Sequence, residues 1–305
     1  MWRGLSQVDI VWAWGPHPFS ILLVAFAVLR RKRVVLCVRE DTVEYHRRRL
    51  PSWRWLPVLG AVWVTEAVYR LLAHWLPTTA VGASVAQKYA GGRAPVLPIA
   101  ISLVRAKDVV SSPPKTDWAG EISLLTVGRL EPEKNPLLVV EALELLEAEF
   151  PGRFGLVWLG RGKLEEDVRR EASRRGVEKQ LELRGYVPYG PELLAVYRQA
   201  HAFVHVSLTE GLPQVLVEAA AAGLPIVATD VGGVADALDG GRAGLLVPPA
   251  DADALVGAIR RLYEDEALRE AIVTEGIRFA QRSTLERLAA EVAPFIADGT
   301  VPTGG

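Results

Sequence analysis

From Glu121 onward, short apolar runs alternate with longer stretches in which apolar residues return every three to four positions, the pattern of strands followed by helices. The runs predict strands at Ile122–Val127, Phe154–Leu159, Leu181–Arg184, Ala202–Leu208, Pro225–Thr229 and Leu245–Val247. Helices are predicted at Pro136–Phe150, Lys163–Arg175, Leu193–Gln199 and Pro213–Ala222, the last closed by Gly223, and again from Asp251 to the end. Strict alternation of this kind implies a parallel sheet covered on both faces, the doubly wound α/β arrangement. Such sheets bind ligands beyond the carboxyl ends of their strands.

The earlier part of the chain is also mixed. It predicts strands at Val8–Trp12, Val34–Val38 and Thr79–Val81, a helix at Pro18–Leu29, and a tryptophan-rich helical region from Trp53 to Leu76. It therefore reads as a second, smaller α/β domain. The stretch Ser111-Ser112-Pro113-Pro114-Lys115-Thr116-Asp117 can continue neither element type and serves as the natural linker. The expected organisation is a shortened N-terminal domain over 1–110, a linker over 111–120, a second domain over 121–283, and a closing helix and frayed tail over 284–305. The longest apolar run, Pro18 to Leu29, has 12 residues where a hydrocarbon core needs about 20, so the sequence predicts no span and a buried helix there.

Charge changes the picture more than composition does. The net charge of −1 conceals a split: residues 1–100 carry 13 Lys+Arg against 5 Asp+Glu, and the remainder 22 against 31. A basic half joined to an acidic half faces different partners. Seven of the nine tryptophans lie in the basic half, and Arg47-Arg48-Arg49-Leu50-Pro51-Ser52-Trp53-Arg54-Trp55 mixes cations with indoles. That mixture suits a surface dipping into anionic headgroups, although a helix packed in the domain core or against missing elements is the favoured reading. A nucleic-acid partner is not expected, because the second half is acidic and no known reader motif is present. One cysteine, Cys37, excludes an internal disulfide and points to a reducing cytoplasm.

Two loops carry candidate chemistry. In Ser207-Leu208-Thr209-Glu210-Gly211-Leu212-Pro213-Gln214-Val215-Leu216-Val217-Glu218, Pro213 stands where a helix would begin, and the N–H groups of Leu212 to Leu216 would form an anion site flanked by Glu210 and Glu218. In Val127-Gly128-Arg129-Leu130-Glu131-Pro132-Glu133-Lys134, a strand ends at a glycine and two cations follow, an Arg fork and a Lys point charge suited to a diphosphate. Either loop alone also reads as an ordinary solvated turn.

Taken in order, these residues closely resemble the retaining GT-B glycosyltransferases, family 4. The E-x7-E pair matches Glu210 and Glu218, and the glycine-arginine-leucine with its lysine matches Gly128-Arg129-Leu130 and Lys134. Arg184-Gly185-Tyr186-Val187-Pro188, Gly223 to Asp230 with Gly232-Gly233, and Gly244 to Pro249 complete the series. The resemblance implies two Rossmann-like doubly wound parallel-sheet domains facing a cleft, and a nucleotide-diphospho-sugar donor in the second. By the same resemblance Arg129 and Lys134 would hold the diphosphate, Glu218 the ribose, the Val187 backbone the base, and Glu210 with the N–H groups of Gly211 and Leu212 the sugar, with Gly128, Val215 and Leu216 lining the donor site. No cofactor and no metal are implied, and the five histidines show no ligand spacing. Transfer to a lipid-linked or glycan-precursor acceptor follows, in the cytoplasm or at the inner face of the membrane.

The N-terminal domain departs from that family. The glycine-rich first units are not matched, so a partner chain supplying missing strands, or a binding subunit without catalysis of its own, is the rival reading; an epimerase or phosphorylase on the same fold is a third. Arg39, in Arg39-Glu40-Asp41, stands where members carry a histidine and an acid. It reads either as a positive group near the acceptor or as an ion pair with its neighbours. Asp41 and His17 are acceptor-side candidates on the same basis, and a capping role for His17 is an equal alternative.

Overall fold

The computed structural model describes residues 2–49 and 52–301. Leu50, Pro51 and the side chains of Arg48 and Arg49, part of the cation–indole stretch, lie outside the described residues, as does the tail from 302. The chain divides into two compact units, residues 1–101 with 286–305, and residues 102–285. Each is built on its own all-parallel sheet, of four and six strands among the described residues, so the two parallel-sheet α/β domains expected from the alternation are present.

The first unit carries β1 (Ile10–Gly15), β2 (Arg33–Val38), β3 (Thr78–Val81) and β4 (Val96–Ile99), in that spatial order. Its helices are α1 (Pro18–Leu29), α2 (Thr42–Arg49), α3 (Leu56–Ala73) and α4 (Ala83–Tyr89). The core gathers Val24, Leu36, Tyr69, Ala80 and Tyr89. Neither β4 nor α4 is legible in the sequence. β4 contains Pro98, which an edge strand tolerates, and α4 is a seven-residue helix too short to show a period. α1 forms where predicted, but it is only half-buried: Ser20, Val24 and Ala27 face the core while Phe19, Leu22, Val28 and Leu29 stand in solvent.

The expectation of no membrane-length helix also needs correcting. A short 3-10 turn runs into α3, and Trp53–Ala73 together are long and apolar enough to cross a membrane by length and composition. The strict apolar run misses this because Gly60, Thr65, Glu66 and Arg70 interrupt it without interrupting the helix. Its second half buries one stripe, Thr65, Glu66, Tyr69 and Ala73, in the first unit, while Leu71 stays exposed.

In the second unit lie β5 (Ile122–Val127), α5 (Pro136–Glu149), β6 (Phe154–Leu159), α6 (Glu165–Arg175), β7 (Leu181–Gly185), α7 (Pro191–Gln199), β8 (Ala202–His205), α8 (Gln214–Ala221), β9 (Ile226–Thr229), α9 (Val234–Ala237), β10 (Leu245–Val247), α10 (Ala252–Glu264) and α11 (Glu266–Arg282). The order across the sheet is β10-β9-β8-β5-β6-β7. Successive residues of a strand point to opposite faces, and Leu124 joins one apolar layer with Trp158 and Leu143 while Leu125 joins the other with Phe203 and Leu216. Both faces are thus covered, which is why these strands read as continuous apolar runs.

The chain enters this unit earlier than the proline-rich stretch: Val104 is buried in the second layer and Val110 N–H donates to the Ala221 carbonyl at 2.9 Å. It leaves by α12 (Leu285–Asp298), which from Glu286 onward belongs to the first unit, where Arg33 Nε donates to the Ile296 carbonyl at 2.8 Å.

Candidate functional site

The strand order of the second sheet reverses at one place. From β5 the chain crosses through α5 to β6 on one side; from β8 it crosses through α8 to β9 on the other. β5 and β8 are neighbours, so the loops leaving their carboxyl ends part and open a crevice, the position where sheets of this kind hold ligands. Both candidate loops leave from these two strands. They are tied together by Leu208 N–H, which donates to the Glu133 carbonyl at 2.8 Å.

A third loop, after β9, completes the rim. Gly233 N–H donates to the Gly211 carbonyl at 3.0 Å, and Gly232 has φ +55° with its α-carbon packed on the Glu210 backbone, so that a Cβ there would overlap the Glu210 carbonyl oxygen. Gly160, after β6, stands in the same relation to the Gly128 carbonyl. Glycine is required at both places by backbone meeting backbone.

At the centre is Glu210, whose side chain is 10 % exposed. Its Oε1 accepts from Lys134 Nζ and lies 3.0 Å from His205 Nε2. Burial alone would raise this carboxyl, but His205 and Lys134 outweigh it and hold it at about 2. Glu210 is therefore ionised throughout the neutral range. Lys134 reaches it because Asn135, in the left-handed region at φ 48°, turns the chain sharply between the 3-10 turn Pro132–Lys134 and α5.

Arg129 is more open, its side chain 60 % exposed, with Nη2 on Glu133 Oε1 at 2.8 Å. A pair this wet contributes little to stability and leaves the guanidinium able to turn to a ligand. Gly128 is held from below, since its carbonyl accepts from the buried Trp158 Nε1 at 2.8 Å. Glu218, on α8, is buried and accepts from Tyr197 Oη at 2.8 Å. Burial raises its carboxyl and the tyrosine hydroxyl offsets only part of that.

Pro213 is the cap residue before α8 rather than its first turn; with ψ 115° it is extended, and the helix starts at Gln214. The Leu216 N–H is not free, because it donates to the Pro213 carbonyl at 3.2 Å, and the Leu216 side chain is in the core. The anion-facing end of α8 is narrower than the sequence suggests. Strand β8 likewise stops at His205, after which the chain bends so that Thr229 Oγ1 donates to the Ser207 carbonyl at 2.6 Å.

The structure thus brings Gly128, Arg129, Lys134, Glu210, Gly211 and Leu212 to one crevice, with Val215 half-buried on the first turn of α8. Val187 lies elsewhere, beyond the carboxyl end of the edge strand β7, its side chain against the Phe203 layer. Sequence reasoning missed His205 and Tyr197. A histidine closing an otherwise apolar strand five residues before Glu210 was the available signal; Tyr197 offered none.

The acceptor-side candidates sit at the carboxyl end of the first sheet. His17 is the cap of α1, its Nδ1 accepting from Phe19 N–H at 3.2 Å. Arg39 lies over the Trp14 ring at 5.5 Å. Asp41 pairs with Lys88 on α4 and, with Val43, Trp63, Glu66, Ala67 and Arg70, lines a half-open cavity of ≈ 170 Å³. Glu66 in that wall is buried, its Oε1 accepting from Tyr89 Oη at 2.7 Å and Arg70 Nε at 3.3 Å, and its buried Oε2 finds no partner among the described residues. Among the described residues no three of His, Cys, Asp and Glu gather as metal ligands.

Two parallel-sheet units, with an anion-suited crevice at the switch point of the second, define the GT-B class of fold. The profile of glycosyl transferases group 1 matches residues 112–279, more than half of the chain, and the chain belongs to that family. It is similar to the O-antigen chain mannosyltransferase B of Escherichia coli, 32% identical over 170 residues, which are 55% of this chain and 43% of that protein. It is also similar to the D-inositol 3-phosphate glycosyltransferase of Arthrobacter sp. (strain FB24), 31% identical over 197 residues, 61% of this chain and 47% of that protein. Each match thus spans less than half of the relative's own length.

Among solved structures, Anabaena Alr3699/HepE in complex with UDP superposes with a TM-score of 0.77 at 18% identity, over 97% of this chain and 80% of that one. Sucrose-phosphate synthase from Thermosynechococcus elongatus gives 0.72 at 20% identity, over 95% and 73%. At these identities the likeness speaks for the fold.

Proposed function

We propose that the chain transfers a sugar from a nucleotide-diphospho-sugar to an acceptor with retention of configuration, without a metal or other cofactor. The observation that carries this reading is the Lys134–Glu210 pair, a half-buried cation and a carboxylate held ionised at the switch point between β5 and β8. A donor diphosphate entering there meets Lys134 and Arg129, and the N–H groups at the head of α8 add to the positive field. Fixed charges of this kind act most strongly where charge builds on the leaving phosphate.

Glu210 orients the sugar and stabilises positive charge developing at its anomeric carbon. Its carboxyl is held too low to move a proton near neutral pH, so in this reading the bond to the leaving phosphate breaks as the acceptor oxygen bonds to the same face, and the acceptor proton passes to that phosphate. Glu218 takes ribose hydroxyls and the Val187 backbone the base. The cavity of Asp41, Trp63, Glu66 and Arg70 offers the acceptor an indole face and a buried carboxylate oxygen in need of a donor, which suits a polyhydroxylated group on a lipid-linked or glycan precursor. Arg39 and His17 stand at the same end of the sheet. This reading takes transfer to run in the cytoplasm or at the inner face of the membrane, in keeping with a single cysteine and no internal disulfide.

A second reading rests on one feature. Among the described residues β1 is an edge of its sheet, hydrogen-bonded to β2 on one side only, and a partner strand added there would complete the acceptor domain of a subunit that binds donor but does not turn it over alone.

A panel of UDP-, GDP- and ADP-sugars, followed by proton NMR of the released or transferred sugar, separates these. The first reading expects slow turnover of one donor by the chain alone, with the product anomer that of the donor, and in Glu210→Ala a loss of turnover with nucleotide binding kept. An inverted product, or an unchanged rate in Glu210→Ala, overturns it. Donor binding with turnover only after adding a second protein establishes the alternative.

A further inference from the structure

From Ser52 to Val64 no side chain is buried. Trp53 is 80 % exposed, and Trp63 and Val64 are each 65 % exposed, on the first half of a helix whose burial begins only at Thr65. A helix on a protein surface buries one apolar stripe and turns a polar face to water. This half of α3 has no polar face: Trp53, Trp55, Leu56, Val58, Trp63 and Val64 point outward around it, and Arg54 is its one charged residue.

A protein groove would cover one side of such a helix and leave the other in water. A medium that is apolar from every direction satisfies all of it. Phe19 and Trp14, also exposed, stand at the same end of the unit, because β1 and β2 are parallel and the chain leaves the carboxyl end of each to reach α1 and α3.

Charge selects the occupant. From His46 to Thr65 the sequence holds Arg47, Arg48, Arg49 and Arg54 and no acidic residue. The helix start adds to this, since Trp55 gives α3 no side-chain cap and its first turn has no acid. Arginines and an uncapped helix start both seek phosphate. A second copy of the chain would bring the same cations against themselves.

Length decides between crossing and lying on the surface. Leu56–Val64 at about 1.5 Å per residue is roughly 14 Å, against a hydrocarbon core of about 30 Å, and the rest of α3 is committed to the core of the first unit. We propose that Trp53–Val64 docks the first unit on an anionic phospholipid surface, dipping into one leaflet with its indoles at headgroup level and the exposed Arg47 and Arg54 on phosphates. The inference stands independently of the glycosyl-transfer reading.

The test is co-sedimentation of the full chain with vesicles of phosphatidylcholine alone and with about a third phosphatidylglycerol, with tryptophan emission recorded in parallel. Binding to the anionic vesicles is expected to be at least tenfold tighter, to weaken in 0.5 M salt, and to shift the emission to the blue. Trp53→Ser with Leu56→Ser is expected to lower binding tenfold or more without changing the melting temperature, because both side chains are already in solvent. Trp75→Ser, an exposed indole beyond the other end of α3, is expected to change nothing. Absence from both vesicle pellets, or undiminished binding by the double variant, overturns the proposal. So does a dimer in sedimentation velocity that the double variant dissolves, which would give the face to a second copy.

Discussion

Lys134 and Glu210, 76 residues apart, meet as an ion pair at the carboxyl ends of neighbouring strands. Neither is there by its own helix or strand. A left-handed Asn135 turns one loop inward, and a pair of glycines after β9 lets the other lie flat against its neighbour.

Replacing Lys134 by Ala removes the fixed cation where leaving-group charge would collect and leaves Glu210 paired with His205 alone. Turnover is expected to fall by about two to three orders of magnitude. Steady-state rates on the cognate donor check this, with circular dichroism to confirm the fold.

Gly232→Ala is a backbone prediction. The position has a positive φ, and its Cβ would overlap the Glu210 carbonyl, so either the variant unfolds at lower temperature or the Glu210 loop shifts. A cost of roughly 1–3 kcal/mol for the conformation alone is expected in denaturant unfolding, with turnover lost beyond that. Gly240→Ala, also at positive φ but with open space around it, separates strain from collision and is expected to keep turnover.

Trp158→Phe tests the support beneath the Gly128–Lys134 loop. It leaves the Gly128 carbonyl without the buried Nε1 donor at 2.8 Å, and destabilisation of about 1–3 kcal/mol is expected in urea unfolding.

The two glutamates give stability pH dependences of opposite sign. Glu210 is held at about 2 against an ordinary 4.5, so its contribution is fully present above about pH 4.5 and is lost as pH falls toward 2. That contribution is at most roughly 3 kcal/mol. Unfolding free energies measured from pH 7 to 3 are expected to fall less steeply in Glu210→Gln than in the wild type. Glu218 is raised, so its contribution is present at low pH and is lost as pH rises through its folded value; Glu218→Gln is expected to be at least as stable as the wild type at pH 8.

How much of this was legible in the sequence follows from what each signal depends on. β5 and β6 lie where the apolar runs place them because they are covered on both faces and nothing competes with the pattern, and the edge strand β10, half-buried, falls where its run predicts as well. Both candidate loops were singled out from glycine, proline and charge spacing, each of which alone also fits an ordinary solvated turn. Pro213 was placed one position too far into α8, since the same residue serves as a cap or as a first turn and local sequence does not choose. His205 was missed because its role comes from a carboxylate five residues on, across a bend. The exposed half of α3 reads two ways in the sequence, as a surface against headgroups or as a packed helix, and packing is favoured because Trp, Leu and Val predict burial until the fold shows which of them have nothing to pack against.

The most direct test of the central claim is calorimetric titration of the chain with UDP, GDP and ADP, repeated on Lys134→Ala and Arg129→Ala. The account predicts that one nucleoside diphosphate binds, stabilising the fold by about 2.7 kcal/mol at a hundred times its Kd, and that both variants weaken it at least tenfold. Binding equally tight in both variants, or no binding by a well-folded chain, would contradict the placement of the donor between β5 and β8.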